Sequence, residues 1–165
     1  MERKKFWLLL IILGLVTSVC GQVSQTQASE FTKDHVLTLV EDAYHTQVSL
    51  SEEPQSKKQI HLKLSKYFTN DLTENFINEN VYEVDGGFIT FGSDFASYYI
   101  PFFQYDESTR VKYIDGKWYV WEEHFDEEGP FSTMTGIEGV VVSEEEGTWK
   151  VSSIAYELPD TIQPQ

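Results

Sequence analysis

The stretch TRVKYIDGKWYVWEEHF, residues 109–125, constrains this chain more tightly than any other. Two runs rich in β-branched and aromatic residues flank Asp115-Gly116, a dipeptide that accepts the positive φ angles of a two-residue hairpin turn. So short a turn leaves the register no freedom. Tyr113 must face Trp118 and Val111 must face Val120 on one side of the ribbon. Arg110 meets Trp121 and Lys112 meets Tyr119 on the other, where cation–π contacts become available. Counting on from Val120, Glu122 and His124 continue the face assigned to the core.

A second hairpin is read from GIEGVVVSEEEGTWKVSSIAYEL, residues 136–158, turning in its acidic EEEG segment. Trp149 and Val151 share one parity of the last strand, whereas Ile154 and Tyr156 share the other. A bulge near Ser152-Ser153 reconciles them. GGFITFG, residues 86–92, is a short strand bounded by glycines.

The first half has the helical period instead. Val36, Leu39, Val40, Ala43 and Tyr44 fall on one helix face, with Thr32 as N-cap and Phe31 and Val36 spaced for a hydrophobic staple. Ser56 and Gln59 form a capping-box pattern ahead of Ile60, Leu64, Tyr67 and Phe68. TNDLTENFINEN, residues 69–80, supplies Leu72, Phe76 and Ile77 for a third helix. Helices followed by antiparallel hairpins predict an α+β domain with helices packed on one face of a sheet.

The N-terminus reads as an address. Arg3, Lys4 and Lys5 precede an apolar run from Phe6 to Val16, the length of a secretory h-region and short of the roughly 20 residues that a spanning helix needs. Residues 1–21 are therefore expected to be a signal peptide, 22–30 a polar linker, 31–158 a single domain and 159–165 a flexible tail with two prolines. Cleavage after Gly21 fits best, with cleavage after Ala28 as a fallback. Lipidation at Cys20 is the alternative, although Val19 next to the scissile bond and the absence of a Leu upstream depart from a lipobox. A retained anchor is the third option. Membrane contact is expected only through such an anchor.

Cys20 is the only cysteine, so a mature domain cut after Gly21 has no thiol nucleophile and no disulfide. The chain carries 12 basic and 27 acidic residues, a formal net charge of −15. Losing residues 1–21 removes Arg3, Lys4, Lys5 and Glu2, leaving 9 basic and 26 acidic residues and a charge of −17. This balance argues against nucleic acid or anionic lipid as a partner, because both require basic patches. The same acidity also keeps an exported protein dispersed.

The long bent hairpins, closing with GTWKVSSI at 147–154, resemble the nuclear-transport-factor-2-like or cystatin-like superfamily. That resemblance implies a strongly bent antiparallel sheet curled into a cone around two or three helices. Together with DFASYYIPFFQYDESTRVKYI (94–114) and WYVWEEHFDEEGP (118–130), the pattern resembles an uncharacterised family of exported Gram-positive proteins over Phe31 to Leu158. The likeness implies the fold and an extracytoplasmic address, and it brings no activity.

Candidate chemistry is sparse. DFASYYIPFFQY, residues 94–105, gathers six aromatics around Pro101. Tyr98, Tyr99, Phe102, Tyr113 and Trp118 are the candidate ligand-binding residues, since hydroxyl-tipped rings suit a flat or apolar ligand. The competing and favoured reading is that these rings plug the open end of the sheet. Glu122 and His124, with Asp94 or a tyrosine, could act as a proton-transfer set in an isomerase or dehydratase. As strand-end residues they more simply point into water. EEHFDEEGP lacks the spacing of a calcium loop, and the four histidines show no ligand pattern, so neither metal nor cofactor is expected. The expected function is an exported, non-enzymatic binding or protein-interaction module of the cell envelope. Its partner would be another protein or a small apolar ligand, and a sheet-mediated structural dimer is the remaining alternative.

Overall fold

The computed structural model describes residues 31–92, 97–126 and 133–162, with side chains at 125–126 and 133–135 excepted. The signal, linker and lipidation readings, and Asp94, lie outside these residues. All described residues belong to the unit spanning Phe31–Gln165.

Three helices open it: α1 (Lys33–Ser49), α2 (Lys57–Leu64) and α3 (Asn70–Asn80). The capping signals of the sequence are used. Ser56 accepts the Gln59 N–H at 3.2 Å while Gln59 Oε1 accepts the Ser56 N–H at 2.9 Å, so two otherwise orphaned donors are satisfied at the start of α2. At α1 the N3 position is His35, whose Nδ1 accepts the Thr32 N–H at 3.1 Å. Phe31, half-buried against the core, reaches beyond α1. Its ring stacks on Trp149 at 5.1 Å and 9°, tying the helix start to the sheet.

Strands follow in two sheets. β1 (Val81–Val84) and β2 (Gly87–Thr90) form a two-stranded hairpin. β3 (Arg110–Ile114), β4 (Lys117–Asp126), β5 (Thr133–Glu145) and β6 (Thr148–Ala155) form an antiparallel meander in the order β3-β4-β5-β6. The α+β class is as expected, but the strands divide between two sheets, neither of them closed.

The meander obeys the sequence closely. Asp115 and Gly116 adopt φ of 50° and 79°, and Arg110↔Trp121, Val111↔Val120, Lys112↔Tyr119 and Tyr113↔Trp118 pair as expected. Glu146 and Gly147, with φ of 51° and 76°, make the second tight turn. The bulge is present too: Val142 pairs with Val151 but Val141 with Ser153, so Ser152 is the extra residue and Val151 and Ile154 share a face. The expected cation–π contacts of Arg110 and Lys112 do not form. The contact of this kind among the described residues is Lys57 Nζ, 4.8 Å above the Phe88 ring.

The core lies between the helices and one face of the meander. Val36, Val40 and Ala43 of α1, Ile60 and Leu64 of α2 and Leu72 and Phe76 of α3 meet Val120, Val140, Val142 and Val151. At the far edge, Phe68 bridges to Val151, with Thr69 N–H to Val151 O at 3.0 Å and Val151 N–H to Tyr67 O at 2.8 Å, which covers part of the exposed rim of β6. On the outer face Trp121 lies over Gly139, where a Cβ would sit 2.8 Å from Val120 O and 3.0 Å from Trp121 Cβ. The tail expected to be free folds at residues 159–162 into a turn that buries Ile162.

Candidate functional site

Residues 97–109 join α3 and the β1–β2 hairpin to the meander without forming a helix or a strand. Buried backbone still needs hydrogen-bond partners, and here three side chains supply them. Gln47, fully buried on α1, donates from Nε2 to Tyr98 O at 2.8 Å and accepts the Ile100 N–H on Oε1 at 2.9 Å, as a neighbouring strand would. Asn80, the last residue of α3, donates to Ser97 O at 2.8 Å. Glu122 Oε1, from β4, accepts the Gln104 N–H at 2.7 Å and the Thr109 hydroxyl at 2.6 Å. Further along, Asp106 accepts the Ser108 hydroxyl at 2.6 Å and its N–H at 2.7 Å, and these bonds hold its carboxyl below the usual range.

Pinned in this way, the segment turns Ile100 and Phe103 into the core and leaves Phe102 67% exposed. Neighbouring residues of the segment thus differ sharply, with Phe103 in the core and Phe102 in solvent. Tyr99 packs edge-on against Phe76 at 4.9 Å, and its hydroxyl is buried without a hydrogen bond, as is that of Thr90. Burial raises the Tyr99 phenol, an effect that the nearby Thr90 hydroxyl opposes. The Tyr105 hydroxyl is likewise buried and unpaired; burial first, then the carboxylates of Glu41 and Glu122, push its ionisation well above the ordinary phenol range.

Between α1 and this segment lies a cleft of about 410 Å³. Tyr44, Gln47 and Val48 form one wall and Tyr99, Ile100, Pro101 and Phe102 the other. Thr90, Gly92, Glu138 and Tyr156 close it. Tyr156 also borders a groove of about 340 Å³ lined by Leu72, Tyr98 and Ile154. A third cleft, of about 320 Å³, lies by the outer face of the meander around Trp121, with Lys33, Arg110 and Lys112 set among Asp106, Glu107 and Glu123.

The structure separates the residues that the sequence grouped. Tyr99 and Phe102 share the cleft beside α1, and Tyr98 borders the adjoining groove. Tyr113 and Trp118 join a different cluster, 5.0 Å from each other and packed with Trp149 and Phe31. Glu122 and His124 part as well. Glu122 is buried and lines none of these three clefts, whereas His124 is exposed with Nε2 3.2 Å from Glu138 Oε2, beside the cleft. No group of three metal-ligating side chains occurs among the described residues.

Sequence reading missed Gln47, Tyr44, Glu138 and Tyr156. Gln47 had a signal: it continues the Val36, Val40, Ala43 stripe as a polar residue on an apolar face. Glu138 had none, since an exposed carboxylate on a strand is ordinary surface.

A family model described as a protein of unknown function (DUF3993) matches residues 32–124, more than half of the chain, and the chain belongs to that family. The matched stretch contains Gln47, Asn80 and Glu122, and it ends before Glu138 and Tyr156. Neither a curated protein nor a solved structure matches the chain.

Proposed function

We propose that this member of a family of unknown function is an exported, non-enzymatic binding module of the cell envelope that takes an apolar group in the cleft between α1 and residues 97–109. The observation that carries the reading is where exposed apolar surface collects. Phe102 at 67%, Tyr156 at 62% and Val48 at 43% exposure all border that cleft. Large apolar side chains left in water around one concavity mark a contact site better than the same residues scattered singly. The hydroxyls of Tyr99 and Thr90, buried in its walls, add polar groups beside an occupant. Helices packed on an antiparallel sheet are compatible with the conical nuclear-transport-factor-2-like arrangement that the sequence resembles.

An isomerase or dehydratase using Glu122 is favoured by the burial of that carboxylate. Against it, one oxygen already accepts two hydrogen bonds, and the residue lies away from the cleft.

The binding reading is tested with p-cresol, a flat apolar probe, titrated into the full chain and followed by chemical shifts. Perturbations are expected at Thr90 and Tyr99–Phe102 and should weaken in Phe102→Ala. Perturbations centred on Trp118 and Trp149 would overturn it. The export reading rests on the charged and apolar N-terminal pattern. Intact mass of the protein from its native host should begin at Gln22 or another processed residue, and an unprocessed chain in the cytoplasm would sink it.

A further inference from the structure

We propose that the cleft between α1 and residues 97–109 selects an organic ammonium ion, a cation carrying apolar substituents. This deepens the binding reading above and rests on it. Four aromatic rings border the cleft: Tyr44, Tyr99, Phe102 and Tyr156. Tyr44 and Phe102 pack edge to face, at 63° with centroids 5.8 Å apart, so two of the four rings meet at an angle. The face of an aromatic ring carries negative charge density, and a cation over it is attracted within about 6 Å; rings meeting at angles around an ammonium group are the arrangement that recognises methylated ammonium ions.

The charges in the cleft agree with this. Glu138 is its one charged wall residue among the described residues, and no Lys, Arg or His shares the lining. His124 engages Glu138 through Oε2 from outside that lining. An anionic occupant would meet Glu138 and a chain of net charge −15. A neutral apolar occupant would use the rings and leave the carboxylate engaged only with His124. An ammonium ion uses both, and the acidic field of the whole chain steers it inward. The third cleft, where three basic side chains stand among three acidic ones, offers no such bias.

Choline and its uncharged isostere 3,3-dimethylbutan-1-ol differ essentially in charge, so the pair isolates the cation. Titrated into the full chain, choline should shift Thr90 and Tyr99–Phe102 and bind on the order of three- to tenfold more tightly than the alcohol. Phe102→Ala and Glu138→Gln should each remove a similar factor for choline, and Glu138→Gln should leave the alcohol unchanged. Both side chains are substantially exposed, so the variants are expected to fold. N-acetyl-lysine methylamide distinguishes the source: tighter binding than choline assigns the ammonium to a peptide side chain, and weaker binding assigns it to a free quaternary ion. Equal affinity for choline and the alcohol at these residues overturns the ammonium inference and keeps the apolar cleft. Failure of choline, the alcohol and p-cresol alike overturns both readings.

Discussion

Val140 in the meander and Ile100 in the neighbouring segment are 1% and 3% exposed, and both pack into the same core. Their backbones reach that core by different routes. Val140 sits in a ladder between β4 and β6, so its environment follows from alternation and two tight turns. Ile100 has no strand beside it, and its N–H is satisfied by the side chain of Gln47, 53 residues earlier. A ladder is redundant, because each residue is held by its neighbours' bonds as well as its own. Residues 97–109 instead depend on three separate side chains from three elements, and the cleft is built on that less redundant half.

The largest effect should come from breaking the most important of these bonds. Gln47→Leu keeps much of the side-chain volume but leaves Tyr98 C=O and Ile100 N–H without their partner. Stability should fall by about 2–4 kcal/mol, the penalty for two buried backbone groups left unpaired. Hydrogen exchange should quicken at residues 98–104 with β4 and β5 still protected. Uniform loss of protection would mean that the segment and the meander are one cooperative unit and that the contrast is false.

Tyr105→Phe should act in the opposite direction and more weakly. Its hydroxyl is buried without a partner, so removing it should stabilise the fold by about 1 kcal/mol. The sign of the pH effect follows from the raised ionisation. An unfolded tyrosine ionises near pH 10 while the folded one resists, so stability is fully present below about pH 10 and lost as pH rises above it. The phenylalanine variant should lose less over that window in denaturation experiments. Equal alkaline sensitivity would indicate that Tyr105 is hydrated.

The candidate site was legible only in fragments. The aromatic richness of 94–105 pointed to Tyr99 and Phe102, but nothing local sent Tyr113 and Trp118 to the far cluster with Phe31 and Trp149. Parity put Glu122 on the core face, but the favoured expectation that it points into water fails: the carboxylate is buried because Gln104 and Thr109 donate to it from a segment with no periodicity to read. β1 escaped notice because Val81 follows α3 at once, with no glycine or proline to mark the change. Four residues are also too few to establish alternation.

Legible in local sequence were the capping box of α2, the Asp115-Gly116 turn, the register of the β3–β4 hairpin and the bulge of β6. Each of these arises from residues within a few positions of one another, where sterics and local hydrogen bonds dominate. Long-range packing set the rest: Gln47, Asn80 and Glu122 hold residues 97–109, and Tyr44, Phe102, Glu138 and Tyr156 meet around one cleft. Those encounters join residues far apart in the chain, and what brings them together is burial of the shared core, which no single stretch encodes.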